Sequence, residues 1–212
     1  MANFNEIYPN IARWENGFGN SSADSGNYCD GVLVGTNRGI SAILYKGVYG
    51  KCPTPTEMKN LSYESAKRIW KERFFDALDL QKLKSNELAE LYIFTIGGGS
   101  SGNLHVRQSA NKILGKNKFP ESRSKLTKEE LDVIHDLNET KMFNTLYDTR
   151  VKFFTDHYNA GFVRGWLRRM EDIKQRFKPQ SKATGLVISL GFLGFGLTLL
   201  SVYFYKKLKN KK

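Results

Sequence analysis

The chain has 212 residues, 40% of them hydrophobic and 25% charged, with a formal net charge of +12. That length suits one domain, or one domain with a small appendage, and 14 Phe, 10 Tyr and 3 Trp can both fill a core and line a carbohydrate or nucleobase site. Without CxxC, HExxH or clustered histidines, the sequence offers no metal centre, and no cofactor is expected.

Taken in chain order, Ile7, Ile11 and Trp14 repeat at spacings of four and three, which predicts a helix ending near Asn16 or Gly17. Glu15 falls at that end, about 100° around the helix from Trp14. A carboxylate there faces the negative end of the helix dipole, and partial burial adds to this; both favour the protonated acid. Such an acid suits protonation of a leaving glycosidic oxygen. The plain alternative is a solvated glutamate at a frayed end.

A long segment rich in Gly, Ser, Asn and Asp follows, of the kind that serves a site. It carries Asp24 and Asp30, either of which can orient a water or stabilise a positive sugar ring. Thr36, Asn37, Arg38 and Ser41 offer groups for sugar hydroxyls and acetamides, or equally the makings of a tight turn. The stretch VLVGTNRGISAILY reads as a small hairpin or as a strand and a helix start. Cys29 and Cys52 permit one disulfide or two free thiols.

Ser62 caps the next predicted helix, with Ala66, Ile69, Trp70, Phe74, Ala77 and Leu78 along its apolar face. Further helices are expected over residues 86–96 and 104–114, the second closed by Gly115. Between them, IGGGSSGN lacks the GxxxxGK[ST] arrangement of a phosphate loop. After the polar stretch 116–125, Thr127 and Glu130 form a capping box inside a Leu126/Leu131 staple. The last helices before Pro179 are expected over 141–157 and 159–177. Arg164, Arg168 and Arg169 surround Trp166 as a basic patch, but no nucleic-acid module accompanies it, so nucleic acid is not an expected partner.

Residues 184–205 carry no charge. As a helix they would span roughly 33 Å, enough for the hydrocarbon core of a bilayer. A single-pass transmembrane helix is therefore expected, followed by a basic tail, KKLKNKK, over 206–212. The positive-inside bias puts that tail in the cytoplasm and the large part outside. The first residues lack the basic start and apolar run of a signal peptide. Before residue 183 the net charge is +7, which favours anionic partners.

Three stretches together resemble a known family. Glu15-Asn16-Gly17-Phe18 resembles an E-G-G-[YF] motif. Asp24-Ser25-Gly26-Asn27 and Thr36-Asn37-Arg38-Gly39-Ile40-Ser41 resemble the D-x-G-G loop and T-N-x-G-I-[TS] element that follow it. Phe162 to Arg169 fits F-x-x-G-W-x-x-R. These are motifs of the phage-type N-acetylmuramidases, glycoside hydrolase family 108. The resemblance implies a mainly α architecture: a lysozyme-like domain over 1–115, a helical peptidoglycan-binding-like part over 116–178, and the membrane helix as an addition. It implies cleavage of the β-1,4 bond between N-acetylmuramic acid and N-acetylglucosamine in peptidoglycan glycan strands. Glu15 would be the essential acid and Asp24 the loop aspartate, with Thr36, Asn37, Arg38, Ser41 and Trp166 against the substrate. The chain departs from the family at Asn16, at Asn27 and over residues 94–99, where an acid is replaced. That last change supports a second reading, a catalytically silent, membrane-anchored wall-binding protein.

Overall fold

Side-chain caps decide where most helices of this chain begin, because the first amides of a helix need acceptors that the helix itself cannot supply. The computed structural model describes residues 1–179 apart from 100 and 159. The expected membrane span, 184–205, and the basic tail, 206–212, lie outside the described residues. Among the described residues no helix is long and apolar enough to cross a membrane.

Helix α1 (Phe4–Trp14) starts at Asn3, whose side chain accepts from the Asn5 amide. Phe4, Ile7, Tyr8 and Ile11 form its buried stripe. The helix ends slightly before the expected Asn16 or Gly17: Glu15 is its C-cap, still donating to Ile11 O at 2.9 Å. Gly17, at φ 115°, then turns the chain away.

Short strands follow. β1 (Phe18–Gly19), β4 (Thr36–Asn37) and β5 (Ile40–Ser41) make one antiparallel sheet in the order β1-β4-β5, with Phe18 opposite Asn37 and Thr36 opposite Ser41. Between β1 and β4 lies a separate hairpin of β2 (Tyr28–Cys29) and β3 (Val32–Leu33). Both structures expected from VLVGTNRGISAILY are present, since β5 leads directly into α2 (Ala42–Tyr49). Cys29 and Cys52 form a disulfide that ties the β2–β3 hairpin to the chain beyond α2.

Helix α3 (Pro55–Lys59) carries a capping box of Thr54 and Glu57, and α4 (Tyr63–Trp70) starts at Ser62 as expected. Continuing α4, residues Lys71–Asp76 form a π-helical turn. This changes the expected apolar face. Ala66, Ile69 and Trp70 are buried, but after the wider turn Phe75 is buried, Phe74 is half-buried and Ala77 is exposed. A 3.6-residue period does not survive the added residue per turn.

The core centres on α5 (Asn86–Gly97), in which every residue from Leu88 to Thr95 is buried. It packs against α1, α6 (Gly102–Leu114), α8 (Glu139–His157) and α9 (Ala160–Arg176). Residues Met1–Gln180 thus make one compact unit, and the boundary expected at 115/116 falls inside it. The polar stretch 116–125 is held closely. Phe119 is buried, its amide donates to Asn111 Oδ1 and its carbonyl accepts from Asn111 Nδ2, both at 2.8 Å.

Arg107 completes this attachment. Only 1% exposed, it donates to the carbonyls of Ser122, Ser124 and Lys125 and forms a two-point pair with Glu130 at 2.8 and 2.7 Å. Glu130 is also the N3 residue of the Thr127 capping box that opens α7 (Lys128–His135). Hydrogen bonding to Arg107 holds its carboxyl below the ordinary glutamate range, against the opposing effect of burial. A depressed carboxylate stabilises the fold above its unfolded-state value and loses that contribution as pH falls through the folded value. The substitution Arg107→Met should therefore lower the unfolding free energy by about 3–5 kcal/mol at neutral pH, because it strands a carboxylate and three carbonyls. Urea unfolding checks this, and the difference from wild type should shrink as the pH falls below the ordinary glutamate value; equal midpoints at neutral pH would refute it.

Candidate active site

The β4–β5 hairpin is where the separate sequence motifs meet. Its two turn residues, Arg38 at φ 52° and Gly39 at φ 72°, are both left-handed, the requirement of a tight two-residue hairpin turn. A side chain on Gly39 would meet Trp70 at 2.7 Å and the Glu15 Oε2 at 2.8 Å. The turn therefore lies directly against the end of α1. The Arg38 amide donates to Gly17 O at 3.2 Å, and its carbonyl accepts from Trp70 Nε1 at 3.1 Å.

The other expected site residues take their places around this turn. Asn37 is buried and donates to the carbonyls of Met58 and Lys59, both at 2.9 Å. Arg38 Nε donates to Leu61 O at 3.1 Å. Ser41 Oγ accepts from the Leu44 amide and caps α2. Thr36 is half-buried in β4, opposite Gly19 and Ser41. These polar groups brace the hairpin from behind. Asp24 is exposed; its Oδ1 accepts from the Gly26 amide at 2.9 Å, and the Gly26 turn lies against Ser41. The Asp24 turn thus lies near the hairpin at Ser41, but Asp24 is not among the residues that line the cleft in which Glu15 sits. Asp30 pairs with Lys46 at the surface.

That cleft has a volume of about 360 Å³. Trp14, Glu15 and Trp70 line it. Ile93, Phe94, Gly97 and Gly98 from the end of α5 and Gly165, Trp166 and Arg169 of α9 complete the lining. Glu15 is the only carboxylate among these lining residues. The structure brings Trp166 together with Glu15, packing its indole on Phe154 and Tyr158 with ring centres 5.0 Å apart in each case. The glycines at 97 and 98 stand in the segment, residues 94–99, where the sequence departs from the pattern it resembles. Gly97 packs closely on Trp70: a side chain there would meet its ring at 3.2 Å.

Arg169 is the principal residue whose role spacing did not reveal. Its guanidinium lies 4.4 Å over the Phe94 ring, and its Nη1 donates to Glu15 Oε1 in an ion pair. The Glu15 side chain retains 28% exposure, while that of Arg169 retains 5%. An arginine at this position of the F-x-x-G-W-x-x-R motif was visible, but its partner lies 154 residues away in sequence. Trp70 and Gly39 were likewise visible as a core aromatic and a turn glycine, with nothing local to link them to Glu15.

A second layer of charge backs the cleft. Asp172 accepts from Arg13 at 2.7 Å, from Arg176 at 3.1 Å and weakly from Trp14 Nε1. Burial opposes its charge, but the bonds from Arg13 and Arg176 outweigh this and hold its carboxyl below the ordinary range. Arg176 also donates to the buried Glu90 at 2.8 Å. Among the described residues the one compact His, Cys, Asp and Glu group is Cys29, Asp30 and Cys52, whose sulfurs are joined to each other and do not form a thiolate ligand set.

Residues 8–95 match the family model described as glycosyl hydrolase 108. The match includes Glu15, Asp24 and the hairpin but ends before Gly97, Trp166 and Arg169. Among solved structures, one titled as the structure of Brucella abortus SagA shares 19% identity over 82% of this chain and 92% of its own, with a TM-score of 0.61, a likeness of fold. No curated protein matches the chain.

The crowding at the turn yields a direct expectation. Gly39→Ala forces a methyl group against Trp70 and Glu15 at a left-handed backbone position, and should cost about 1–3 kcal/mol of stability. Thermal or urea unfolding measures it; a variant as stable as wild type would show that Glu15 and Trp70 are not held against the turn.

Proposed function

We propose, from the match of residues 8–95 to the glycosyl hydrolase 108 family model, that the chain is an N-acetylmuramidase with a lysozyme-like fold. It cleaves the β-1,4 bond between N-acetylmuramic acid and N-acetylglucosamine in peptidoglycan, with Glu15 as the general acid. The observation that carries this reading is the placement of Glu15: the one carboxylate among the described residues lining a cleft of indoles, Ile93, Phe94, glycines and one arginine. Trp14, Trp70 and Trp166 present flat apolar faces of the kind that line ligand clefts, onto which pyranose rings can pack. Filling the cleft excludes water around Glu15, and its proton passes to the glycosidic oxygen as the bond to the anomeric carbon breaks. Positive charge developing on the sugar ring is met by water or by a carboxylate outside the lining; Asp24 is the family's loop residue for such a role.

The silent wall-binding alternative draws support from the cleft lining, where Gly97 and Gly98 stand and Glu15 is the one carboxylate among the described lining residues. Activity measurements separate the two. Wild-type protein should release soluble fragments from purified sacculi, and Glu15→Gln, less stable for losing the charge partner of Arg169 but still folded at assay temperature, should release them at least about 100-fold more slowly, the scale of a lost general acid. Sacculi bound but left whole by wild type would favour the silent reading. An E15Q protein as fast as wild type would remove Glu15 from the acid role.

The location proposed is a single-pass membrane protein held by residues 184–205, with the catalytic part outside the cytoplasm. The uncharged run and its lysine border support the anchor. The Cys29–Cys52 disulfide supports the outer side, because such bonds persist in oxidising compartments. Alkaline carbonate should leave the full chain in the membrane pellet, and protease added to spheroplasts should digest the catalytic part. Release by carbonate contradicts the anchor; protection from protease contradicts the orientation.

A further inference from the structure

Behind the cleft, the interior holds hydrogen-bonding groups that lack partners. Glu90 on α5 is 1% exposed; its Oε2 accepts from Arg176, whereas Oε1 has no partner among the described residues. Arg169 is 4% exposed and gives Nη1 to Glu15, whereas its Nε and Nη2 have none. The Nε of Arg176 is in the same condition. Burying such atoms without a partner is costly, and a native cluster of them calls for a physical reason.

Their arrangement supplies one. Glu90 and Phe94 are one turn apart on the same face of α5. Arg169 already lies over the Phe94 ring, and Arg176, two turns further along α9, already bonds Glu90. The guanidinium of Arg169 thus pairs with Glu15 at the cleft while lying over a ring one helical turn from Glu90. Desolvation pushes the Glu90 carboxyl above the ordinary glutamate range, opposed by the charges of Arg176 and Arg169 and reinforced by Asp172.

We propose that Arg169 has two stations, pairing with Glu15 while the cleft is open and with Glu90 Oε1 when a glycan fills it, so that Glu90 is the positioning residue that frees Glu15 for catalysis. The proposal rests on the reading of Glu15 as general acid. A general acid has a proton to give, whereas the ion pair with Arg169 is an interaction of the carboxylate. Turning over the Phe94 ring, the guanidinium would leave one carboxylate for another without losing its aromatic seat. Arg169 stays charged throughout, and Glu15 takes one proton from solvent as its partner departs. The final state also satisfies donors and an acceptor that the open state leaves unpaired.

The charge that draws Arg169 inward exists only while Glu90 is ionised. With its carboxyl held above the ordinary range among Arg169, Arg176 and Asp172, Glu90 should impose an acid limb on kcat at a higher pH than an ordinary glutamate would. Glu90→Gln should lower kcat on sacculi by about 10- to 100-fold, the scale for a misplaced reacting group, with KM little changed and that limb lost. In an Arg169→Met background the same substitution should have no further effect, since both act through one contact. A folded E90Q protein with wild-type kcat and acid limb, or losses that multiply in the double variant, would overturn the proposal. If E90Q fails to fold, a crystal structure of the wild type with an uncleaved N-acetylglucosamine tetramer decides: Arg169 on Glu90 supports it, Arg169 still on Glu15 overturns it. That structure keeps its meaning even if E15Q proves active, which would count against the acid role alone.

Discussion

The ion pair between Glu15 and Arg169 joins the end of the first helix to the last described helix, 154 residues later in the chain. Most of the architecture around the cleft can be understood as holding its two ends. Helix α1 must stop at Trp14, so that Glu15 leaves the helix with its side chain over the hairpin. The hairpin must turn through a glycine at residue 39, because no side chain fits between its backbone, Trp70 and Glu15. On the other side, α9 must pack along α5 closely enough for Arg169 to lie over Phe94. A nearly buried guanidinium is unfavourable unless it is paired, and removing one partner of such a pair typically costs about 3–5 kcal/mol. The pair therefore restrains the same carboxylate that the proposed chemistry uses.

Elements of two kinds surround it. The small sheets and the Cys29–Cys52 disulfide fix loops too short and polar to have a core of their own, and the buried side chain of Asn37 fastens the hairpin to α3. The helices supply the apolar mass, with α5 buried on all its faces. Arg107 plays the corresponding part at the far side, where its five hydrogen bonds turn a polar segment into a fixed strap between α6 and α7. In both places chain that lacks a hydrophobic reason to be ordered is held by a buried polar side chain whose partners are backbone carbonyls.

Local chemistry was legible in the sequence and long-range pairing was not. The Thr127/Glu130 capping box, the Ser62 cap, the end of α1 within a turn of Asn16 and the glycine ends of α5 and α6 depend on residues close in sequence, and each is present. The π-helical turn at Lys71–Asp76 is set by packing rather than by any local signal, so the face drawn through Phe74 and Ala77 slipped to Phe75. Asn37 and Arg38 look on paper equally fit for sugars or for a turn, and only the carbonyls of Met58, Lys59 and Leu61 show where their nitrogen atoms go. Glu90 was hidden for a different reason. It sits in an apolar run, NELAELYIF, where a charged residue reads as the exposed face of a helix, and its arginine partner lies 86 residues away.

The central claim concerns which bond is cut, and the masses of the products decide it most directly. Purified sacculi digested by the protein, with the fragments reduced and weighed, should yield muropeptides whose reducing ends are on N-acetylmuramic acid. Fragments with reducing N-acetylglucosamine, or peptides released by amide cleavage from an intact glycan, would contradict the account.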